Sequence, residues 1–190
     1  EPEHSPRFRS NSLFTGPGMR RAIEEGRAEF IPVFLSDIPV LFENRRIPLD
    51  VAVLQVSPPN AHGQCTLGTS CDAAKAAADS ARIVVAEINE KMPCTHGNTV
   101  VPFERISAFI RTDRDLHEAA PSTASEVEAH IGELIAELVE DGATLQMGIG
   151  AIPDAVLSRL GNKHDLGVHT EMFSDGLLPL VTGGVVTNRR

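Results

Sequence analysis

No apolar stretch of this 190-residue sequence comes near the roughly 20 residues that a membrane-spanning helix needs. No secretory signal opens it. Cysteine is scarce: Cys65, Cys71 and Cys94 are the only three, an odd count with C-x5-C spacing that is not that of a zinc finger. Such thiols form no disulfide framework and fit a reducing compartment, the cytoplasm. His62 and His96 stand near them without tight metal-ligand spacing, so no metal is expected. Cations are in deficit, 17 Lys and Arg against 26 Asp and Glu, a formal charge of −9. That argues against nucleic acid or an anionic membrane surface as the main partner, and leaves room for an anionic ligand held by a local site. There is no internal repeat and no low-complexity tract.

What is present suits one globular domain with a sizeable core. Hydrophobic residues make up 42%, too many for a disordered chain. The first residue is Glu rather than Met, and "VVTNRR" closes the chain on a strand or loop followed by two charges. These ends suggest a piece of something longer, cut at both ends.

Helices and strands alternate. "MRRAIEEGRAEFIPVF" holds a short helical run that Gly26 ends, after which Val33, Phe34 and Leu35 read as a buried strand. "SDIPVLFENRR" is a second short amphipathic segment. "LDVAVLQVS" is a β-branched strand that Pro58 and Pro59 stop. "SPPNAHGQCTLGTSCD" is a long loop. "DAAKAAADSA" is a helix by propensity, with Asp72 as its N-cap. "RIVVAEIN" is a strand, and "EKMPCTHGNTVVPFERI" a second long loop or irregular hairpin. Thr123 and Glu126 form a capping box before a helix whose apolar stripe is Val127, Ile131, Leu134, Ile135 and Leu138. Asp141 and Gly142 stop it. "ATLQMGIG" is a strand entering a glycine loop, Pro153 opens the next helix and Gly161 closes it. "LGVHTEMF" is a strand and "SDGLLPLVTGG" a turn with a short helix.

This is an α/β pattern with a mostly parallel, open sheet. Ligands in such sheets bind beyond the carboxyl ends of the strands. The loops 57–72, 89–99 and 148–153 have that position, and the turn 169–176 joins them.

Three stretches could carry chemistry. Gly148-Ile149-Gly150 lies between a strand and a helix start, where backbone N–H groups can meet a phosphate, a carboxylate or a developing oxyanion. It is not a dinucleotide fingerprint, because Pro153 replaces the third glycine. A plain tight turn would use the same residues. In "HTEMFSDG", strand alternation puts His169, Glu171 and Phe173 on one face, with Thr170 and Met172 on the other. Glu171 is then half buried, either a catalytic carboxylate or one bonded to backbone amides. Ser174 lacks the G-x-S-x-G elbow of a hydrolase nucleophile. The loop 57–72 holds more turn formers than a connection needs, and long ordered loops often carry function.

"VSPPNAHGQCTLGTSCD", "INEKMPCTHG", "LQMGIGAIPDAVLSRL" and "LGVHTEMFSDG", in this order from about Phe14 to Asn188, resemble the acetyl-CoA hydrolase/transferase family. The resemblance implies the open α/β fold of CoA-transferases, in which two similar domains pack with the active site between them. It implies a longer chain, with an extra strand-and-helix segment at the front and a second domain behind. That domain supplies a nucleophilic glutamate. Its attack on an acyl-CoA gives a mixed anhydride and then a glutamyl-CoA thioester, from which a second carboxylate takes the CoA. No stretch here matches the nucleophile segment, and Glu171 belongs to a different motif. The family generally carries Arg where this chain has Cys94.

Carried over by motif, the candidate substrate, CoA or oxyanion residues are Ser57, Pro58, Asn60, Gly68, Thr95, His96, Gly97, Gly148, Ile149, Gly150, His169, Glu171, Met172, Ser174 and Asp175. The loops 57–72 and 92–97 would wall the acyl and pantetheine channel, and the glycine loop would hold the oxyanion, worth roughly 3–4 kcal/mol per donor. The expected function is transfer of CoA from an acyl-CoA to acetate, butyrate, succinate or 4-hydroxybutyrate. Coenzyme A acts as substrate, no cofactor is tightly bound, and the complete enzyme is a homo-oligomer. An acyl-CoA hydrolase, a CoA-binding half-enzyme needing a partner chain, and an unrelated hydrolase built on the 169–176 turn are the alternatives. Leu177, Leu178, Leu180, Val181, Val185 and Val186 form an aliphatic end that either docks on something else or folds back into the core.

Overall fold

A computed structural model describes residues 7–118 and 123–189; the terminal residues Glu1 and Arg190 lie outside it. The chain divides into two compact units, Glu1–His117 and Glu118–Arg190.

The first unit is built on a three-stranded, fully parallel sheet of β3 (Val51–Val56), β5 (Ile83–Asn89) and β7 (Ala108–Thr112), in the order β3-β5-β7. β3 meets β5 from Val51↔Ile83 to Val56↔Ile88. β5 meets β7 from Val85↔Ala108 to Asn89↔Thr112. Alternation sorts β3 cleanly: Ala52, Leu54 and Val56 are buried, while Val53 is 78% exposed. Behind the inner face lies α3 (Ala74–Ser80), whose Ala78 is wholly buried and packs with Val84, Ala86 and Ile88. Alanine favours the helix and lets it lie close on the sheet. Asp72 is not the cap expected of it. Ala73 takes that place, and Asp72 turns into the left-handed region at φ 29°, its carboxylate accepting from Ser70 Oγ at 3.0 Å.

Two shorter pieces complete this unit. β1 (Ser10–Ser12) and β2 (Ala28–Phe30) pair in parallel around α1 (Pro17–Glu24), and Gly26 at φ 70° ends the helix as expected. The predicted strand Val33–Leu35 does not form. Pro32 brings no N–H to a ladder, Phe34 is 79% exposed, and Leu35 opens a 3-10 turn into α2 (Ile38–Glu43). Ile38 and Phe42 on α2 form a small core with Ala76. The two long loops are tied by an antiparallel pair, β4 (Gln64–Thr66) with β6 (Val100–Pro102).

In the second unit α4 (Glu126–Leu138) is capped by Ser125, two residues later than the predicted Thr123. Ser125 Oγ accepts from Glu128 N at 3.3 Å, and the Glu128 carboxylate accepts from Ser125 N at 2.8 Å. Both pairs fit the capping pattern. The predicted apolar stripe is not what α4 buries: Val127 is 70% and Leu138 80% exposed. The helix packs through Gly132 and Ala136 against α5 (Ala151–Leu157). A Cβ on Gly132 would stand 2.8 Å from Ala155 Cβ. Bulky side chains cannot enter a seam that close, so they turn outward.

β8 (Thr144–Leu145) and β9 (Gly167–Val168) pair in parallel and are shorter than the predicted strands. α5 ends at Leu157, and Gly161 lies in the following 3-10 turn. α6 (Leu177–Thr182) buries Leu177 and Leu180, while Val185 and Val186 pack on the same core. Leu178 and Val181 stay exposed. Four of the six aliphatic residues at this end therefore fold back.

One ion pair spans β5 and the segment after β7. Glu87 accepts from Arg114 Nε at 2.5 Å and Nη2 at 3.0 Å, and from Thr112 Oγ1 at 2.8 Å. Arg114 first, then Thr112, hold the carboxyl down to about 2 from an ordinary 4.5. A lowered folded pKa gives a contribution that is complete above the ordinary 4.5 and lost as pH falls toward about 2. Arg114→Gln should move the Glu87 midpoint up into the usual carboxylate range in an NMR titration. A midpoint that stays where it was would contradict this pairing.

Candidate functional site

Each unit gathers candidate residues at the carboxyl ends of its parallel strands. In the first unit β3 leaves the sheet at Ser57 and β5 at Glu90. Ser57 is buried, and its Oγ accepts from Thr66 N at 2.9 Å. Thr95 N donates to Thr66 Oγ1 at 3.2 Å, and Thr95 Oγ1 donates to the Gly68 carbonyl at 3.0 Å. Leu67 N donates to Thr99 O at 2.9 Å. The loops 57–72 and 89–99 are thus laced together, as their shared position at the strand ends implied. Asn60 shapes its own turn, Oδ1 accepting from His62 N at 2.9 Å and Gln64 N at 3.0 Å. Pro58 is half buried.

Ser57, Asn60, Gly68 and Thr95 therefore serve as framework. Cys94, His96 and Gly97 form the exposed crest of the second loop. Cys65 is buried, which pushes its thiol pKa up. Among the described residues no three His, Cys, Asp or Glu side chains gather as metal ligands.

In the second unit β8 runs through Gln146 and Met147 into Gly148-Ile149-Gly150. Gly150 caps α5 at φ 117°, ψ −174°, a conformation that essentially only glycine adopts. Nothing lies within 4 Å of where its Cβ would be. The N–H groups of Gly148, Ile149 and Gly150 meet no acceptor among the described residues, and all three residues are exposed. α5 has only seven residues. The loop amides themselves, more than a helix dipole, are the donors on offer. A cavity of about 240 Å³ opens beside Gly148, walled by Ile135, Leu145, Met147, Ile152 and Val156.

The turn 169–176 differs from its sequence reading. β9 stops at Val168, so no strand alternation orders the residues after it. His169, Glu171, Met172 and Asp175 are exposed. Glu171 is neither half buried nor bonded to backbone amides. What ties the turn to the glycine loop is Thr170, whose Oγ1 accepts from Met147 N at 3.3 Å and lies 2.9 Å from Met147 O and 3.0 Å from Met172 O. Ser174 Oγ donates to Asp154 Oδ1 at 2.5 Å, and no hydrogen bond joins it to a histidine among the described residues. A Ser-His hydrolytic pair is absent from this turn.

Thr66, Asp154 and Thr170, which hold the candidate loops in place, are not among the residues that the sequence singles out. Strand alternation predicts a face for Thr170, but the strand ends at Val168. Asp154, four residues after Gly150, offered a readable sign: an acidic residue in a first helical turn near a serine-bearing turn.

The chain belongs to the acetyl-CoA hydrolase/transferase family: residues 2–119 match the model of that family's N-terminal domain. It is 53% identical over 182 residues to a succinyl-CoA:acetate/propanoyl-CoA:succinate CoA transferase of Fasciola hepatica, covering 95% of this chain and 38% of the relative. It is 48% identical over 183 residues to a 4-hydroxybutyrate coenzyme A transferase of Clostridium kluyveri, covering 96% and 43%. Among solved structures it resembles RipA of Yersinia pestis, with a TM-score of 0.88, 34% identity, and coverage of 99% of this chain and 45% of that one. It also resembles the 4-hydroxybutyrate CoA-transferase of Porphyromonas gingivalis, with a TM-score of 0.79 and 38% identity, covering 97% and 48%. The chain spans less than half the length of each of these proteins.

Gly68 and Gly97 separate packing from conformation. Gly68 sits at φ 64° with Met92 Sδ 2.0 Å from its would-be Cβ, while Gly97 sits at φ 91° in open space. Gly97→Ala should cost only the left-handed backbone, about 1–2 kcal/mol. Gly68→Ala adds overpacking against buried Met92 and should lose about 1–3 kcal/mol more. Urea unfolding measures both, and equal losses would contradict the packing role of Gly68.

Proposed function

We propose that this chain is the amino-terminal part of a CoA-transferase. In this reading it moves CoA from an acyl-CoA to a small aliphatic carboxylate: acetate, butyrate, succinate or 4-hydroxybutyrate. The carrying observation is the close identity, along almost the whole chain, to proteins named as CoA transferases of just such acids. The nucleophilic glutamate of the mechanism lies outside these 190 residues, and coenzyme A enters as substrate rather than as a held cofactor. The complete enzyme is read as a cytoplasmic homo-oligomer, a reducing setting that suits three free thiols.

The chemistry assigned to this chain is electrostatic. As the glutamate attacks the thioester carbonyl, negative charge builds on the carbonyl oxygen. The free amides of Gly148, Ile149 and Gly150 are preorganised donors for that charge, the last of them in a backbone conformation that essentially only glycine adopts. Ser57, Thr95 and their partners keep the first unit's loops in shape. Cys94, His96 and Gly97 are the part of those loops left to meet the acyl or pantetheine portion.

Two outcomes are expected. The purified 190-residue chain should not exchange CoA between acetyl-CoA and a carboxylate, because the nucleophile is elsewhere. Steady-state turnover by that chain, abolished by Glu171→Gln, would move the nucleophile to Glu171 and overturn the assignment. In the complete enzyme Gly150→Val should lower kcat by about 100-fold or more while KM changes little, since a misplaced oxyanion donor is felt in the transition state. A variant with wild-type kcat would reduce the loop to a turn.

A further inference from the structure

We propose that Thr170 and Ser174 are positioning residues that clamp the Gly148–Gly150 loop from its two ends. The proposal rests on reading that loop as the oxyanion donor.

The loop has little of its own to hold it. Its three residues are exposed, their N–H groups are unbonded among the described residues, and no atom lies within 4 Å of a Cβ built on Gly150. Glycine backbone is the freest in the chain, so a donor built on it must be ordered from outside. The turn 169–176 supplies that order at both flanks. Met147 directly precedes the loop, and the Thr170 hydroxyl grips both its peptide groups. Oγ1 accepts from Met147 N at 3.3 Å, and its one proton faces Met147 O at 2.9 Å and Met172 O at 3.0 Å. Beyond the loop, Asp154 N donates to Gly150 O at 3.0 Å and closes the first turn of α5. The Asp154 carboxylate is fixed in turn by Ser174 Oγ at 2.5 Å, which also accepts from Gly176 N at 3.2 Å. Two hydroxyls four residues apart therefore hold the residue before the loop and the residue that closes it.

The carboxylate of Glu171, between them, takes no part in this. The reading of "HTEMFSDG" changes accordingly. Its hydroxyls do the work, Thr170 by holding the Met147 backbone and Ser174 by holding the Asp154 carboxylate, rather than by reacting.

Valine at 170 keeps the shape of threonine and loses both bonds to Met147; serine keeps the hydroxyl. The test uses the enzyme that carries this chain as its amino-terminal part, assayed for CoA transfer from acetyl-CoA. Thr170→Val should lower kcat by about 10–100-fold, the scale of a small misplacement of catalytic groups, with KM and thermal midpoint little changed. Thr170→Ser should keep most of the activity. If Thr170→Val also lowers the thermal midpoint, Ser174→Ala, which breaks only the second tie, decides by the same kcat reading. Wild-type kcat in Thr170→Val or, in that event, in Ser174→Ala, beside an impaired Gly150→Val, would overturn the clamp and leave the loop's role standing. Equal losses in Thr170→Ser and Thr170→Val would overturn it too, because the hydroxyl would not be what matters. Wild-type kcat in Gly150→Val would overturn both.

Discussion

A strand paired in parallel cannot turn straight back, so the chain must leave its carboxyl end and cross over before pairing again. In the first unit this obliges β3 to exit at Ser57 and β5 at Glu90, neighbouring points on one edge of one sheet. In the second unit β8 and β9 exit together toward the glycine loop and the 169–176 turn. The polar residues that follow need partners, and the nearest ones belong to the same exit loop or to the adjacent one. Ser57 therefore finds Thr66, Thr95 finds Gly68, and Thr170 finds Met147. Strand direction is what brings these hydroxyls and their partners together.

A second consequence lies in which apolar residues are buried. The crossover elements approach their neighbours closely, and small side chains make that possible: Ala78 on the sheet, Gly132 and Ala136 against α5. In such seams contact comes from backbone proximity and many short van der Waals contacts rather than from large side chains. The seam at Gly132 excludes the larger residues of α4, so Leu134 and Leu138 face outward although their spacing marks an amphipathic helix.

This explains what was legible in the sequence and what was not. β3 and β5 were legible because β-branched residues recur along them up to a proline pair or a polar turn. The α3 helix was legible because alanine dominates it. The buried face of α4 was not, since helical periodicity marks an apolar stripe but says nothing of a glycine seam one position away. β7 and β1 gave no pattern: the first is an edge strand with little burial, the second is Ser-Asn-Ser. The glycine loop was legible as a loop, and its φ of 117° at Gly150 gives the second glycine a reason that composition could not. Thr170 was hidden by a single wrong assumption, that the strand continued past Val168.

The exposure of Glu171 bears on the chemistry more than its place in a motif does. A carboxylate that attacks a thioester gains reactivity from losing its water, and an enzyme arranges that loss by burial or by a closed site. Glu171 stands exposed in a turn whose two hydroxyls are spent on the Met147 backbone and the Asp154 carboxylate, and no donor fixes its oxygens among the described residues. Nothing local desolvates it or orients it. The glycine loop is its opposite: donors without partners among the described residues, in a conformation that glycine permits and that is tied at both flanks. On the proposed reading, donors without a prepared nucleophile are half of a covalent mechanism, the half that stabilises charge. The other half requires a carboxylate brought to it, which is the division of labour that the CoA-transferase reading assigns between this chain and the remainder of a longer enzyme.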